Sequence, residues 1–188
     1  MTGEDRKAYS PERLDEATEQ LTELAEKAGV KIALCGGLAM QSYGSERLTK
    51  DVDIVALETG WASSLPVVRE LRFGGIQTTA PNGVPVDLIV RVDEFHGLYE
   101  SALVNAGSRQ GVPCLVVRAE HLAAMKLAAR RPRDTLDLHW LIVSETIDVE
   151  ATRRLIHRFL GGQFAVQEFE RELDLALFEA EREERLGK

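Results

Sequence analysis

The chain has few cysteines, no long apolar run and no excess of basic charge, and each shortage narrows what it can be. Cys35 and Cys114 are its two cysteines, both inside apolar, strand-like segments. A disulfide-stapled scaffold is excluded, and two buried thiols in a reducing cytosol are expected. Apolar stretches such as Val86-Asp87-Leu88-Ile89-Val90 are too short and interrupted to span a bilayer. The first residues, Met1-Thr2-Gly3-Glu4-Asp5-Arg6, are polar and acidic, with no secretory apolar core. A cytoplasmic protein without membrane association is the expectation. A net charge of -8 gives no general attraction for nucleic acid. The acidity lies in the flanks, because residues 31–144 carry 12 basic and 12 acidic side chains. RNA would therefore need a local basic patch. Repeats and low-complexity segments are absent. His96, His121, His139 and His157 lack metal-ligand spacing and are read as structural, and no Ser-His-Asp or Cys-His pattern is legible.

What is present suits one domain with a helical extension, since 188 residues can bury a sizeable core. Residues 10–28 predict a helix. Ser10 stands at the N-cap, Pro11 at the first helical position and Gly29 at the stop, and Leu14, Ala17, Leu21, Leu24, Ala25 and Ala28 share one face. Val30 to Cys35 reads as a strand and Gly37 to Tyr43 as a short helix. Asp51 to Val55 forms a second strand. Leu65 to Leu71 is expected to be helical and broken by Gly74-Gly75. Pro81-Asn82-Gly83 marks a turn into a strand over Val84 to Val90. Residues 94–104 read as helix or loop, and Val112 to Val117 as an edge strand because of Pro113. Helices are expected at 119–130, 133–144, 148–160 and 163–185. The fold class that follows is α+β, a small mixed β-sheet flanked by helices with a C-terminal helical extension, divided as 1–118 and 119–188.

The chemistry is concentrated between Gly36-Gly37 and Asp53. In an Asp-Val-Asp-Ile-Val strand, Asp51 and Asp53 point to the same face, and Val52 and Ile54 to the core. Carboxylates held that close repel unless a cation lies between them, and Mg²⁺ is the hard-oxygen candidate, with Mn²⁺ as the alternative. Asp87 sits in another apolar strand. Should that strand neighbour the first, three acids converge and can hold two divalent ions, which suits in-line displacement at phosphorus. Asp87 is then placed to take the proton of an acceptor hydroxyl. The glycine pair allows close approach of backbone N–H groups to phosphate oxygens. The competing reading makes Asp51 and Asp53 loop caps and pairs Asp87 with a base such as Arg91.

Gly36-Gly37, Arg47-Leu48-Thr49-Lys50-Asp51-Val52-Asp53 and Val86-Asp87-Leu88 together resemble the DNA polymerase β-type nucleotidyltransferase superfamily. Further on, Lys126 to Ala129 and Arg133-Asp134-Thr135-Leu136-Asp137 resemble the K-x-x-A…R-D-x-x-D segment of the abortive-infection (AbiEii-like) toxin branch. The resemblance covers residues 33–140. It implies Mg²⁺-dependent transfer of a nucleoside monophosphate from a nucleoside triphosphate to a hydroxyl of RNA, protein or a small molecule. It implies an antitoxin partner if the toxin branch holds. Gly36 and Gly37 would contact the triphosphate, and Asp51, Asp53 and Asp87 would bind metal. Lys126 would neutralise phosphate charge, and Asp134 would order that lysine or the acceptor.

Departures from the family pattern are Leu38, where a Ser or Thr often follows the second glycine, and the short C-terminal part. Ser42 or Ser45 would have to supply the missing hydroxyl. Lys50 and Arg47 either bind phosphate or offset the carboxylates. For Lys126 the alternative is a solvated helix face, and for Arg130, Arg131 and Arg133 a solvated helix end. Trp61 and Trp140 are read as packing residues. Phe164, Phe169, Leu173, Leu177 and Phe178 form an apolar face read as core or homodimer contact. Loss of turnover, leaving a nucleotide-binding descendant, is the remaining alternative.

Overall fold

The computed structural model describes residues 9–187 and divides the chain into two compact units, the first ending at Val117 and the second beginning at Arg118. The fold is α+β.

In the first unit, α1 (Pro11–Lys27) starts after Ser10 with Pro11 at its first position and buries Leu14, Ala17, Leu21 and Ala25. Burying each leucine contributes roughly 1.5–3 kcal/mol. Gly29, at φ +69°, turns the chain out of the helix. The strand β1 (Ala33–Cys35) runs into α2 (Gly36–Ser42), followed by β2 (Val52–Val55) and a 3₁₀ turn over Gly60–Ala62. Then come β3 (Arg69–Glu70), β4 (Gly75–Thr79), β5 (Pro85–Ile89) and α3 (His96–Val104). The strands form one mixed sheet in the order β1-β2-β5-β4-β3. Within this sheet β2 and β5 pair in parallel, and β1–β2, β5–β4 and β4–β3 pair antiparallel. Val52, Ile54, Val86 and Leu88 are fully buried, and the residues that alternate with them, Asp53 and Asp87, are half-buried on the other face.

The second unit is helical: α4 (Ala119–Ala129), α5 (Pro132–Val143), α6 (Val149–Phe159) and α7 (Gln163–Arg185). Arg130, at φ +52°, makes the tight turn between α4 and α5. Phe169, Leu138, Leu141 and Ile156 are among its fully buried side chains. Among the described residues, no helix is long and apolar enough to cross a membrane. Cys35 and Cys114 are buried and unpaired with each other.

Three expectations need correction. Leu65 to Leu71 is not helical. Pro66 disfavours the helical region at Leu65, and the chain instead runs extended into β3, held by the Val68 N–H on the Gln77 carbonyl. Gly74-Gly75 does not break a helix but turns this strand into β4, a strand the sequence reading passed over. A Cβ on Gly75 would lie 2.0 Å from the Leu88 carbonyl of the neighbouring strand. Val112 to Val117 makes isolated bridges at Val116, to Leu34 and Gly107, and no full strand. Proline at 113 supplies no N–H for a longer ladder. The α7 face read as core or homodimer contact is divided: Phe169 is core, and Phe164, Leu177 and Phe178 are exposed.

Candidate active site

Asp53 and Asp87 are register partners on the parallel strands β2 and β5. Neighbouring strands lie about 4.8 Å apart, and paired residues present their side chains to the same face. The predicted meeting of the two segments is therefore realised through the backbone. Asp51 lies two residues before Asp53 but outside β2, in a bend, so its direction is set by the loop. The Thr49 hydroxyl donates to Asp51 Oδ1 at 3.1 Å. All three aspartates are half-buried.

The glycine pair is packed onto this loop from above. A Cβ on Gly36 would stand 1.8 Å from Asp53 Oδ2, so any side chain there would displace the carboxylate. Gly36 also has φ +61°, which favours glycine independently. A Cβ on Gly37 would come within 2.6 Å of the Thr49 hydroxyl oxygen, the group that holds Asp51. Each glycine thus makes room for one part of the acidic loop. Lys50 is exposed at the mouth of this loop.

Asp87 is steadied from the other side. Gln77, its register partner on β4, donates Nε2–H to Asp87 Oδ1 at 2.8 Å. Arg91 is not the partner of Asp87. It bonds Asp93 at 2.5 Å and lies over the rings of Phe73, Phe95 and Tyr99. Among the described residues, no three Asp, Glu, His or Cys side chains stand close enough together, as oriented, to hold a metal ion. Strand register brings Asp53 and Asp87 to one face, and Asp51 stands in the bend just before β2.

No protein-family model and no curated protein matches the sequence. Solved structures do match in fold. The crystal structure of an antigenic nucleotidyltransferase-like protein from Paracoccidioides brasiliensis aligns with a TM-score of 0.54 at 13% identity, over 95% of this chain and 94% of its own. That of ANT(2'')-Ia in complex with adenylyl-2''-tobramycin aligns with a TM-score of 0.53 at 14% identity, over 77% of this chain and 95% of its own. The chain has the nucleotidyltransferase fold.

Within that fold, Leu38 is 8% exposed and belongs to the apolar core. Both nearby serines already have hydrogen bonds within the protein. Ser42 donates to the Ala39 carbonyl of its own helix, and Ser45 accepts from the Arg47 N–H. Lys126 and Asp134 meet in the helical unit, but not as a solvated lysine beside a capping acid. The Lys126 ammonium is 3.0 Å from Asp134 and 2.6 Å from Asp137, with all three side chains at most 6% exposed. Burial by itself would raise the Asp134 pKa. Hydrogen bonds from Arg131 and the Lys126 charge outweigh it and hold the carboxyl below its ordinary value. Of the basic cluster, Arg130 pairs with Glu168 and Arg131 with Asp134.

Sequence reasoning missed Thr49 and Gln77. Thr49 carried a signal, standing two residues before Asp51. Gln77 carried only its place as a polar residue in a short alternating strand, and its importance depends on which strand it adjoins.

Proposed function

We propose that this protein is a Mg²⁺-dependent nucleotidyltransferase that moves a nucleoside monophosphate from a nucleoside triphosphate to a hydroxyl acceptor. The observation that carries this reading is the register pairing of Asp53 with Asp87 on parallel strands, with Gly36 seated against the Asp53 carboxylate. The donor chemistry suits a hard cation, with carboxylate oxygens from two adjacent strands and from the bend before one of them, and binding would have to turn those side chains toward one another. When bound, Mg²⁺ neutralises triphosphate charge and supports in-line displacement. The acceptor oxygen forms a bond to the α-phosphorus while the bond to the bridging oxygen breaks, and pyrophosphate departs. Asp87 takes the hydroxyl proton. Gly36 and Gly37 give the triphosphate close access to backbone, and Lys50 offers an exposed cation beside it.

A small-molecule hydroxyl is the acceptor class with support among the fold relatives, since one of them is in complex with adenylyl-2''-tobramycin. RNA and protein acceptors, with an antitoxin partner, rest on the Lys126 to Asp137 resemblance alone. A second reading, a nucleotide-binding descendant without turnover, is favoured by Leu38 lying in the core where a hydroxyl would serve the phosphates. Incubation with each radiolabelled triphosphate, Mg²⁺ and a cell lysate separates these readings. Label in a small-molecule, RNA or protein fraction names the acceptor, and the Asp51→Asn/Asp53→Asn variant should lose it. Retained triphosphate binding with no labelled product from the wild type would replace the first reading with the second.

A further inference from the structure

Four polar residues from four strands occupy one row across the sheet. Asp53 pairs with Asp87, Asp87 with Gln77, and Gln77 with Arg69. Register partners share a face, so the row is continuous from the centre of the sheet to its edge. Two hydrogen bonds run along it. Arg69 Nε–H donates to Gln77 Oε1 at 3.0 Å, and Gln77 Nε2–H donates to Asp87 Oδ1 at 2.8 Å.

The direction of this chain is dictated by chemistry. Arginine can only donate and an ionised carboxylate can only accept, whereas a glutamine amide can do either depending on its flip. With Arg69 on one side, Gln77 must turn its oxygen to the arginine and its NH₂ to Asp87. The reversed amide would set two donors against each other at one end and two acceptors at the other. Gln77 is 9% exposed, so an amide left unsatisfied there could not turn cheaply to water. Arg69 is exposed on the two-residue edge strand β3. Its hydrogen bond to Gln77 is thus a specific contact at a place where the fold asks for little.

We propose that Gln77 and Arg69 are positioning residues for Asp87: Arg69 fixes the flip of the Gln77 amide, and the amide fixes which oxygen and which torsion Asp87 offers to the reaction. The proposal rests on the nucleotidyltransferase reading for its consequence, but its geometry can be judged without turnover. Residues that orient a ligating side chain commonly cost about 10–100-fold in metal affinity or activity when removed.

The test is a double-mutant cycle on the full chain, read in two ways. The first is Mn²⁺ affinity in the presence of a non-transferable triphosphate analogue, followed by electron paramagnetic resonance. Gln77→Leu should weaken Mn²⁺ binding about 10–100-fold, and Arg69→Leu should weaken it less, about tenfold. The double variant should be no worse than Gln77→Leu alone, because Arg69 acts only through the amide. Arg69→Lys, which keeps a donor, should recover most of the loss. The second reading is the Gln77 side-chain amide signal in NMR. It should be shifted and protected from solvent exchange in the wild type, and should move on Asp87→Asn and collapse on Arg69→Leu.

Additive losses in the double variant would overturn the proposal and mean that Arg69 contacts substrate itself. Unchanged Mn²⁺ affinity in Gln77→Leu, with its fold confirmed by an unaltered melting curve, would also overturn it. A wild type that transfers no label yet shows the expected cycle would sink the enzymatic reading and leave the relay standing.

Discussion

Asp134 and Asp137 of the helical unit close on Lys126 with every charge at most 6% exposed, while Asp51, Asp53 and Asp87 of the sheet unit are all half-buried and reachable from solvent. Both groups bring carboxylates together. In the helices the carboxylates are matched by a buried ammonium and sealed, so their interactions are consumed by the fold. In the sheet, Asp51 and Asp87 take hydrogen bonds from a neutral hydroxyl and a neutral amide, Thr49 and Gln77, contacts that orient each carboxylate. Acids that are oriented and left accessible are the ones available to a ligand.

The contrast breaks most visibly at Lys126. Lys126→Met should cost about 3–5 kcal/mol in urea unfolding, because the buried Asp137 and Asp134 lose the ammonium between them and Asp134 keeps only Arg131. Replacing Lys126, Asp134 and Asp137 together by apolar residues of similar size should restore most of it. A single replacement that costs under 1 kcal/mol would show the cluster to be more open than its burial indicates.

In the sheet unit the effects should fall on activity. Asp53→Asn and Asp87→Asn should each reduce nucleotidyl transfer by about 1000-fold, near 4 kcal/mol of barrier. Unfolding stability should change by no more than about 1 kcal/mol in either variant, as measured by chemical denaturation. Gly36→Ala comes next. Its left-handed φ and the 1.8 Å approach to Asp53 should cost about 2–3 kcal/mol in stability and displace the carboxylate. Gly44 has φ +103° but open space around it, so Gly44→Ala pays only the backbone term and serves as the control.

The smallest effect is on pH. Burial lowers the His121 pKa, and nearby Arg118 lowers it further, against a partial rise from Glu120. The folded state therefore binds fewer protons than the unfolded chain just below pH 6.5, and stability is full above that value and declines as pH falls through it. Asp134, also depressed, keeps its contribution until pH drops below about 3.8, its ordinary value. Melting temperatures taken between pH 7.5 and 5.5 should fall gently for the wild type, and the slope should flatten in His121→Gln.

Legibility followed the range over which each signal acts. The helix α1 was readable because Ser10, Pro11, the apolar face and Gly29 all act within a turn or two of their own position. Helix α7 was readable in extent for the same reason, but not in burial, because which of its apolar residues are covered depends on its packing partners. Strands β3 and β4 were misread or missed, since Val67-Val68-Arg69-Glu70 and Gly75-Ile76-Gln77-Thr78-Thr79 are decided by pairing partners on other strands rather than by their own neighbours. For Lys126 the sequence left a phosphate contact and a solvated face both open, because its helical neighbours say nothing about the carboxylates that Asp134 and Asp137 bring to it after a turn.

The residue pattern alone determined the α+β class, the helices of the C-terminal part and the identity of three acids in two strand-like segments, because periodicity, caps and turn chemistry are local. Tertiary structure decided that β2 and β5 are adjacent and parallel, that Gly36 is a glycine for the sake of Asp53, and that Gln77 holds Asp87. Those facts depend on strand register, which is set by the burial of a whole sheet face at once and is written in no single stretch of chain.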